Sequence, residues 1–126
     1  DAPLAEFVER WRAQPLFADE TPRARELAIA DQLRNEPEAL AAVLRGIGAG
    51  EMEPLWERLQ ALRMPGTVLV GDRDERFLAY GRRLVDRLGD ARLAIAAGGH
   101  GLPLENPAAV AAEITALAGR RFQTAR

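Results

Sequence analysis

The sequence predicts an α/β fold in which two parallel strands with flanking helices follow a wholly helical segment. Up to about residue 62, apolar residues recur at spacings of three and four, which is the period of an α-helix. After Pro65 the pattern changes to strand, helix, strand, helix. The run from Thr67 to Val70 is short, β-branched and apolar throughout, which is typical of a strand buried on both faces of a parallel sheet.

The helical segment is predicted to begin with two amphipathic helices. One apolar stripe marks the first, and it is formed by Leu4, Phe7, Val8 and Trp11. Thr21 followed by Pro22 predicts the N-cap and first turn of the second helix. We expect the buried face of that helix to carry Leu27, Ala30 and Leu33.

Asparagine, glycine and proline mark the limits of two further helices. Asn35 is expected to cap the third helix, whose apolar face comprises Leu40, Val43, Leu44 and Ile47. Three glycines, at positions 46, 48 and 50, are expected to end it. A fourth helix is predicted to begin near Pro54 and to carry Leu55, Leu59 and Leu62.

The strand and helix alternation continues to the end of the chain. Residues 75–88 form an amphipathic helix with Gly89 as its expected C-cap, and residues 91–97 form the second strand. After the loop GGHGLPLEN, the pair Asn106 and Pro107 predicts the start of a closing helix. Because two parallel strands alone leave hydrogen-bonding edges open, we expect other strands to complete the sheet.

The composition excludes several kinds of chemistry. The sequence contains no lysine, serine or cysteine, and His100 is its only histidine. The chain therefore supplies no serine or cysteine nucleophile, no Schiff-base lysine, no Walker A phosphate loop and no disulfide. One histidine with scattered carboxylates is a poor basis for a transition-metal site, so no metal is predicted.

Charge and hydropathy argue against two classes of partner. The net charge of −2 and the 6% aromatic content do not suit a nucleic-acid-binding surface. No run of about 18 apolar residues and no signal-peptide pattern occurs, so the sequence predicts no membrane association and, by default, a cytoplasmic location.

Candidate catalytic residues follow the two predicted strands. Asp72 and Asp74 come directly after the first strand, and His100 comes after the second. Functional side chains collect at the carboxyl ends of parallel strands, and an Asp before a His is the later part of the order Ser, Asp, His. From spacing alone, a surface acidic turn with a loop histidine is an equally good interpretation. The glycines on both sides of His100 favour function, because they let a loop bring the ring into a crowded site.

The motifs GDRDERF at 71–77 and GGHGLPLENP at 98–107 resemble the acid and histidine motifs of α/β-hydrolase-fold proteins. The segments WRAQPLF at 11–17 and LRGIGAGEMEPLWERL at 44–59 are similar to the cap and cap-to-core junction of the 2-succinyl-6-hydroxy-2,4-cyclohexadiene-1-carboxylate synthase (MenH) family of the menaquinone pathway. The resemblance covers nearly the whole chain. It implies part of a helical cap at 1–50 and the C-terminal part of the α/β-hydrolase core at 51–126.

The resemblance also implies residue roles. Asp74 becomes the triad carboxylate, since Gly71, Asp74 and Phe77 fit the family spacing better than Asp72 does, and His100 becomes the general base. The implied reaction is the elimination of pyruvate from a small polycarboxylate substrate, without metal or organic cofactor. Trp11 and Phe17 match substrate-facing cap residues. Packing between cap and core is an equal alternative for Trp11 and the favoured one for Phe17.

Three positions depart from the family pattern. Arg12 replaces a common Tyr, Pro103 replaces a common His, and Glu75 with Arg76 stands where Lys commonly precedes the Phe. Arg12 and Arg76 are candidates to pair with substrate carboxylates. For any single arginine, however, a solvated surface ion pair is the favoured interpretation.

The nucleophile motif G-x-S-x-G and the oxyanion-hole segment of the family precede the cap, and neither occurs in this sequence. We therefore expect the serine to come from an N-terminal segment of the same enzyme, and the 126-residue chain to be inactive alone. Two alternatives are a generic esterase-like α/β-hydrolase fragment and a non-catalytic helical interaction module.

Overall fold

A computed structural model describes residues 2–48, 50 and 52–123 of the chain. Within them, the order of regular elements is α1 (Ala2–Arg12), α2 (Pro22–Gln32), α3 (Pro37–Ile47), β1 (Gly66–Gly71), α4 (Glu75–Arg87), β2 (Ala91–Ala96), α5 (Leu102–Glu105) and α6 (Pro107–Gln123). Short 3-10 helices occur at Pro15–Phe17 and Trp56–Ala61. The predicted sequence of helices followed by alternating strands and helices is confirmed.

The two strands form a parallel sheet, as the sequence predicts. Their register runs from Gly66 opposite Ala91 to Gly71 opposite Ala96. Helix α4 connects the strands and packs on both of them, and α6 packs on β1. A Cβ atom at Gly81 of α4 would lie 3.1 Å from side-chain atoms of Val70 and Leu93, so this glycine lets the helix approach the sheet closely.

Side-chain caps at two helix starts agree with the sequence. The Thr21 hydroxyl accepts a hydrogen bond from the Ala24 N–H at 3.2 Å, which caps α2. The Asn106 carboxamide oxygen accepts from the Ala109 N–H at 3.1 Å at the start of α6. Its Nδ2 also donates to the Ala97 carbonyl at 3.1 Å, which ties this helix to the end of β2.

The prediction that Asn35 caps the third helix is wrong. Pro37 is the first residue of α3, which makes Glu36 the N-cap residue. The Asn35 side chain instead bonds backwards, donating to the Gln32 carbonyl at 2.9 Å. It therefore adds a hydrogen bond to a carbonyl at the C-terminus of α2 and does not cap a free N–H of α3.

The predicted buried face of α2 is also wrong. Its buried residues are Ala24 and Ala28, whereas Leu27 and Leu33 are 40% and 44% exposed. Helix α2 packs against both α1 and α5. The small alanine side chains allow this close approach, so they form the interface in place of the leucines.

Three further boundaries differ from the prediction. The fourth N-terminal helix is a 3-10 helix that begins at Trp56, not an α-helix near Pro54. The loop after His100 contains the short helix α5. Leu88, in an extended conformation, is the C-cap of α4, and Gly89 does not adopt a positive φ.

The core of the described residues is small. Its buried apolar side chains are Leu4, Val8, Phe17, Ala24, Ala28, Val70, Ala94 and Leu102. Several large apolar side chains face outwards, including Ile47 in α3, Ile95 in β2 and Ile114 in α6. The predicted domain boundary after residue 50 adjoins residue 51, which lies outside the described residues. None of the helices in the described ranges is long and apolar enough to cross a bilayer.

Candidate functional site

The two candidate catalytic residues, 26 positions apart, are hydrogen-bonded to each other. The Nδ1 atom of His100 lies 2.7 Å from Oδ2 of Asp74. The Asp74 side chain is 6% exposed and the His100 side chain 30% exposed. The carboxylate is thus held inside the protein while the imidazole reaches the surface. Among the described residues, Nε2 of His100 has no hydrogen-bond partner.

Local sequence fixes the position of Asp74. It is the N-cap residue of α4, and its Oδ1 accepts a hydrogen bond from the Phe77 N–H at 3.2 Å. The helix N-terminus favours a negative charge at this position. One carboxylate therefore caps a helix with one oxygen and orients His100 with the other.

Two loops carry the pair: residues 72–74 after β1 form the acid loop, and residues 97–101 after β2 form the histidine loop. They meet at Gly71, the last residue of β1. A Cβ atom there would lie 2.3 Å from the Gly98 carbonyl oxygen and 2.5 Å from that of Gly99, so only glycine fits. Gly98 itself has a φ of +155°, a conformation that favours glycine. The Arg73 N–H donates to the Gly98 carbonyl at 3.0 Å, which joins the loops directly.

Asp72, the competing carboxylate, has a different contact. Its Oδ1 accepts a hydrogen bond from the Gly98 N–H at 2.9 Å, and its side chain is 52% exposed. Asp72 therefore binds the backbone of the histidine loop, whereas the imidazole of His100 is hydrogen-bonded to Asp74.

A row of aromatic rings runs from α1 through His100 to α4. Successive ring centroids are 6.0 Å apart for Phe7 and Trp11, 6.3 Å for Trp11 and Phe17, and 5.8 Å for Phe17 and His100. On the core side, Phe77 lies 4.5 Å from His100. Both aromatic residues singled out in the cap motif thus belong to the surroundings of the histidine.

Trp11 and Phe17 differ in accessibility. Phe17 is 7% exposed and makes a T-shaped ring contact with His100. Trp11 is 39% exposed, so its indole is available to a ligand as well as to its neighbours.

Arg12 is buried, contrary to the surface ion pair favoured for the arginines. Its side chain is 5% exposed and pairs with Glu20, whose side chain is 2% exposed. The guanidinium carbon lies 4.1 Å from the centroid of Phe17. No feature of the sequence pattern indicated this pair, because the two residues are separated by a turn and a 3-10 helix.

A second buried carboxylate, Glu105, connects the acid loop and the histidine loop. Its side chain is 3% exposed, forms an ion pair with Arg73, and accepts a hydrogen bond from the Gly99 N–H at 3.1 Å. Glu105 lies in the GGHGLPLENP motif, but its role was not predicted.

The Asp74 and His100 pair borders two cavities. The first has a volume of about 220 Å³, and its charged lining residues are Asp19, Glu20, Arg73, Asp74, Glu75 and Arg76. The second, of about 270 Å³, is mainly apolar and lies along β1, with Phe77, Tyr80, Leu84 and Pro103 among its lining residues. Arg76 is exposed, borders the first cavity, and forms no ion pair within the part of the chain that the structure describes.

The pair is suited to proton transfer. With Nδ1–H donating to a buried carboxylate, the tautomer of His100 is fixed and Nε2 keeps the lone pair that accepts a proton. Within residues 2–48, 50 and 52–123, no group of three or more His, Cys, Asp or Glu side chains is arranged to hold a metal ion.

The strand order, the acid loop, the histidine loop and the hydrogen bond between them define the C-terminal part of an α/β-hydrolase fold. A solved structure of MenH from S. aureus superposes with a TM-score of 0.86, at 23% identity, over 93% of this chain and 46% of that one. The predicted fold is confirmed.

Comparison with curated protein sequences gives a more specific match than the fold does. A 2-succinyl-6-hydroxy-2,4-cyclohexadiene-1-carboxylate synthase of Yersinia pestis (strain Pestoides F) is 36% identical over 114 residues, which cover 90% of this chain. The enzyme of that name from Yersinia pseudotuberculosis serotype O:1b is 33% identical over the same length. The chain spans about 40% of the length of these relatives. No protein-family model matches it. The predicted resemblance to the C-terminal part of MenH is confirmed.

Proposed function

We propose that this chain is the C-terminal portion of a MenH-like enzyme of menaquinone biosynthesis, a carbon-oxygen lyase that eliminates pyruvate from a succinyl-cyclohexene carboxylate intermediate. The observation that carries the proposal is the 2.7 Å hydrogen bond between Asp74 and His100, in a chain 36% identical to a synthase of that pathway. A cytoplasmic location belongs to the proposal.

In the proposed mechanism His100 is the general base and Asp74 its orienting acid. Nδ1–H of His100 donates to Asp74, so Nε2 accepts the proton of a serine hydroxyl. A segment N-terminal to this chain supplies that serine and the oxyanion hole, since the sequence contains no serine. The polarised serine then assists removal of a substrate proton, and pyruvate leaves as the new double bond forms.

The substrate is a small polycarboxylate. Arg76 supports this proposal, because it is exposed at the rim of the charged cavity beside His100 and is not engaged by a carboxylate of the described residues. Guanidinium groups bind carboxylates with two parallel hydrogen bonds. Trp11, which is 39% exposed, is the cap residue placed against the substrate, whereas Phe17 supports His100.

The test is reconstitution. The 126-residue chain is combined with a serine-bearing N-terminal segment, and pyruvate release from the pathway substrate is followed with a coupled lactate dehydrogenase assay. We expect no turnover by the chain alone, turnover by the combination, and loss of turnover in the combination that carries His100→Ala.

Two other outcomes would refute the proposal. Rapid hydrolysis of model esters without pyruvate release would identify an esterase instead. Unchanged activity of the combination that carries His100→Ala would indicate that the chain is a non-catalytic helical interaction module.

A further inference from the structure

Two buried charges lie between the cap helices and the histidine loop. We infer that Arg12 is a positioning residue for His100, acting through the ring of Phe17 and the carboxylate of Glu20. The inference deepens the proposed function, since it rests on His100 as the catalytic base.

Arg12 is enclosed by the two groups through which it acts. Its side chain is 5% exposed, its guanidinium forms an ion pair with Glu20, and the same guanidinium lies 4.1 Å from the centroid of Phe17. Its backbone carbonyl accepts a hydrogen bond from Arg25 at 3.0 Å, which holds the end of α1 against α2. The Glu20 and Phe17 contacts therefore hold the guanidinium, whereas its Nε is buried without a hydrogen-bond partner among the described residues.

Both contacts of Arg12 end at the histidine loop. Phe17 places its ring edge against the imidazole of His100, with 5.8 Å between centroids. Glu20 packs closely against Gly101, the residue that follows His100. A Cβ atom at Gly101 would lie 2.9 Å from Oε1 of Glu20. Asp74 and Phe77 hold the imidazole from the core side. The Arg12 contacts hold it from the cap side, so the ring is positioned between two parts of the chain.

Burial distinguishes this role from substrate binding. A side chain that is 5% exposed and paired with a buried carboxylate presents little guanidinium surface to a polycarboxylate substrate. Arg76, in contrast, is exposed beside the same cavity. Net stability is a weak reason for keeping such a pair, since the desolvation of two charges offsets most of their attraction.

The first test is kinetic and uses the chain combined with its serine-bearing segment. Arg12→Met and Glu20→Gln should each lower kcat about 10- to 100-fold, the loss expected from a displaced catalytic group, with KM within about twofold of the parent. The matched control is Arg10→Met, which removes the exposed ion pair of α1 with Glu6. This control should leave both constants unchanged. A raised KM in Arg12→Met with normal kinetics in Glu20→Gln would show that Arg12 binds substrate, and would overturn the inference.

The second test does not depend on catalysis. Because His100 is the only histidine, every imidazole resonance in the ¹H–¹⁵N spectrum of the 126-residue chain belongs to it. We expect Arg12→Met and Glu20→Gln to displace these resonances and to change the ratio of the two neutral tautomers, and Arg10→Met to leave them in place. Unchanged resonances in the first two variants would refute positioning, even if the chain has another activity.

A double variant separates positioning from folding. Arg12→Met leaves Glu20 buried without its cation, which is destabilising, whereas Arg12→Met with Glu20→Met removes both charges and keeps apolar packing. The double variant should retain the parent thermal midpoint more closely than Arg12→Met does, and should still show displaced His100 resonances. Parent-like resonances in the folded double variant would assign the pair to structure alone.

Discussion

Phe77 contacts both members of the acid and histidine pair. Its ring lies 4.5 Å from that of His100, and its backbone N–H donates to Oδ1 of Asp74 at 3.2 Å. The first turn of α4 thus fixes the carboxylate and packs against the imidazole. Asp74 and Phe77, at the start of one helix, join a helix cap to the acid and histidine pair.

Replacing Asp74 should abolish most of the activity. In the combined enzyme, Asp74→Asn should lower kcat by about three to four orders of magnitude, because an amide no longer fixes the productive tautomer of the base. Asp72→Asn is the matched control, since its remaining carbonyl oxygen still accepts from the Gly98 N–H. Steady-state kinetics of pyruvate release distinguish them. A larger loss in Asp72→Asn would reverse the assignment of the two carboxylates.

Gly71→Ala should destabilise the chain by about 1–3 kcal/mol, because the new methyl group overlaps the carbonyl oxygens of Gly98 and Gly99. The control is Gly46→Ala inside α3, where the added Cβ has no atom within 4 Å apart from its chain neighbours and the backbone of its own helix. That change should raise stability by up to about 1 kcal/mol through helix propensity. Urea unfolding followed by circular dichroism gives both values. Equal stability of Gly71→Ala and the parent would mean that the two loops do not meet as described.

Glu105→Ala should cost about 1–3 kcal/mol, because it leaves the buried Gly99 N–H without its acceptor and removes the partner of Arg73. Glu57→Ala provides the comparison, since that carboxylate also pairs with an arginine but is 87% exposed. Its loss should change stability by less than about 0.5 kcal/mol. Chemical denaturation of the two variants measures the difference, and similar values for both would contradict a connecting role for Glu105.

Trp11 and Phe17 should respond differently to truncation. Phe17→Ala removes a ring that is 7% exposed and should destabilise the chain by about 3 kcal/mol. Trp11→Ala removes one that is 39% exposed, so we expect a smaller loss of stability together with a raised KM in the combined enzyme. Thermal unfolding and steady-state kinetics test the pair. An unchanged KM in Trp11→Ala would assign the indole to packing between cap and core.

Local patterns were enough to predict the elements that position the site. The β-branched run after Pro65 predicted β1, and Asn106 with Pro107 predicted the start of α6. These signals work because capping and strand propensity depend on residues a few positions apart. The order of an Asp and a His after successive strands likewise predicted their meeting, since parallel strands end at the same edge of the sheet.

Where a residue type suits two local structures, the sequence pattern can assign it to the wrong one. Asn35 is a good N-cap residue by type, but it serves the preceding helix because Pro37 sets the start of α3 one position later. For the two carboxylates, the family spacing favoured Asp74, which is hydrogen-bonded to the imidazole, whereas Asp72 accepts from the Gly98 N–H.

The sequence by itself determined the α/β class, the resemblance to the C-terminal part of MenH and the two residues that form the acid and histidine pair. Tertiary structure alone decided which alanines of α2 are buried, and that Arg12 and Glu20 leave the solvent to form a pair behind Phe17. The physical reason is that hydrophobic period and residue type describe what a side chain prefers in isolation. Burial of a charge or of a small residue depends instead on the surface that a distant segment brings against it.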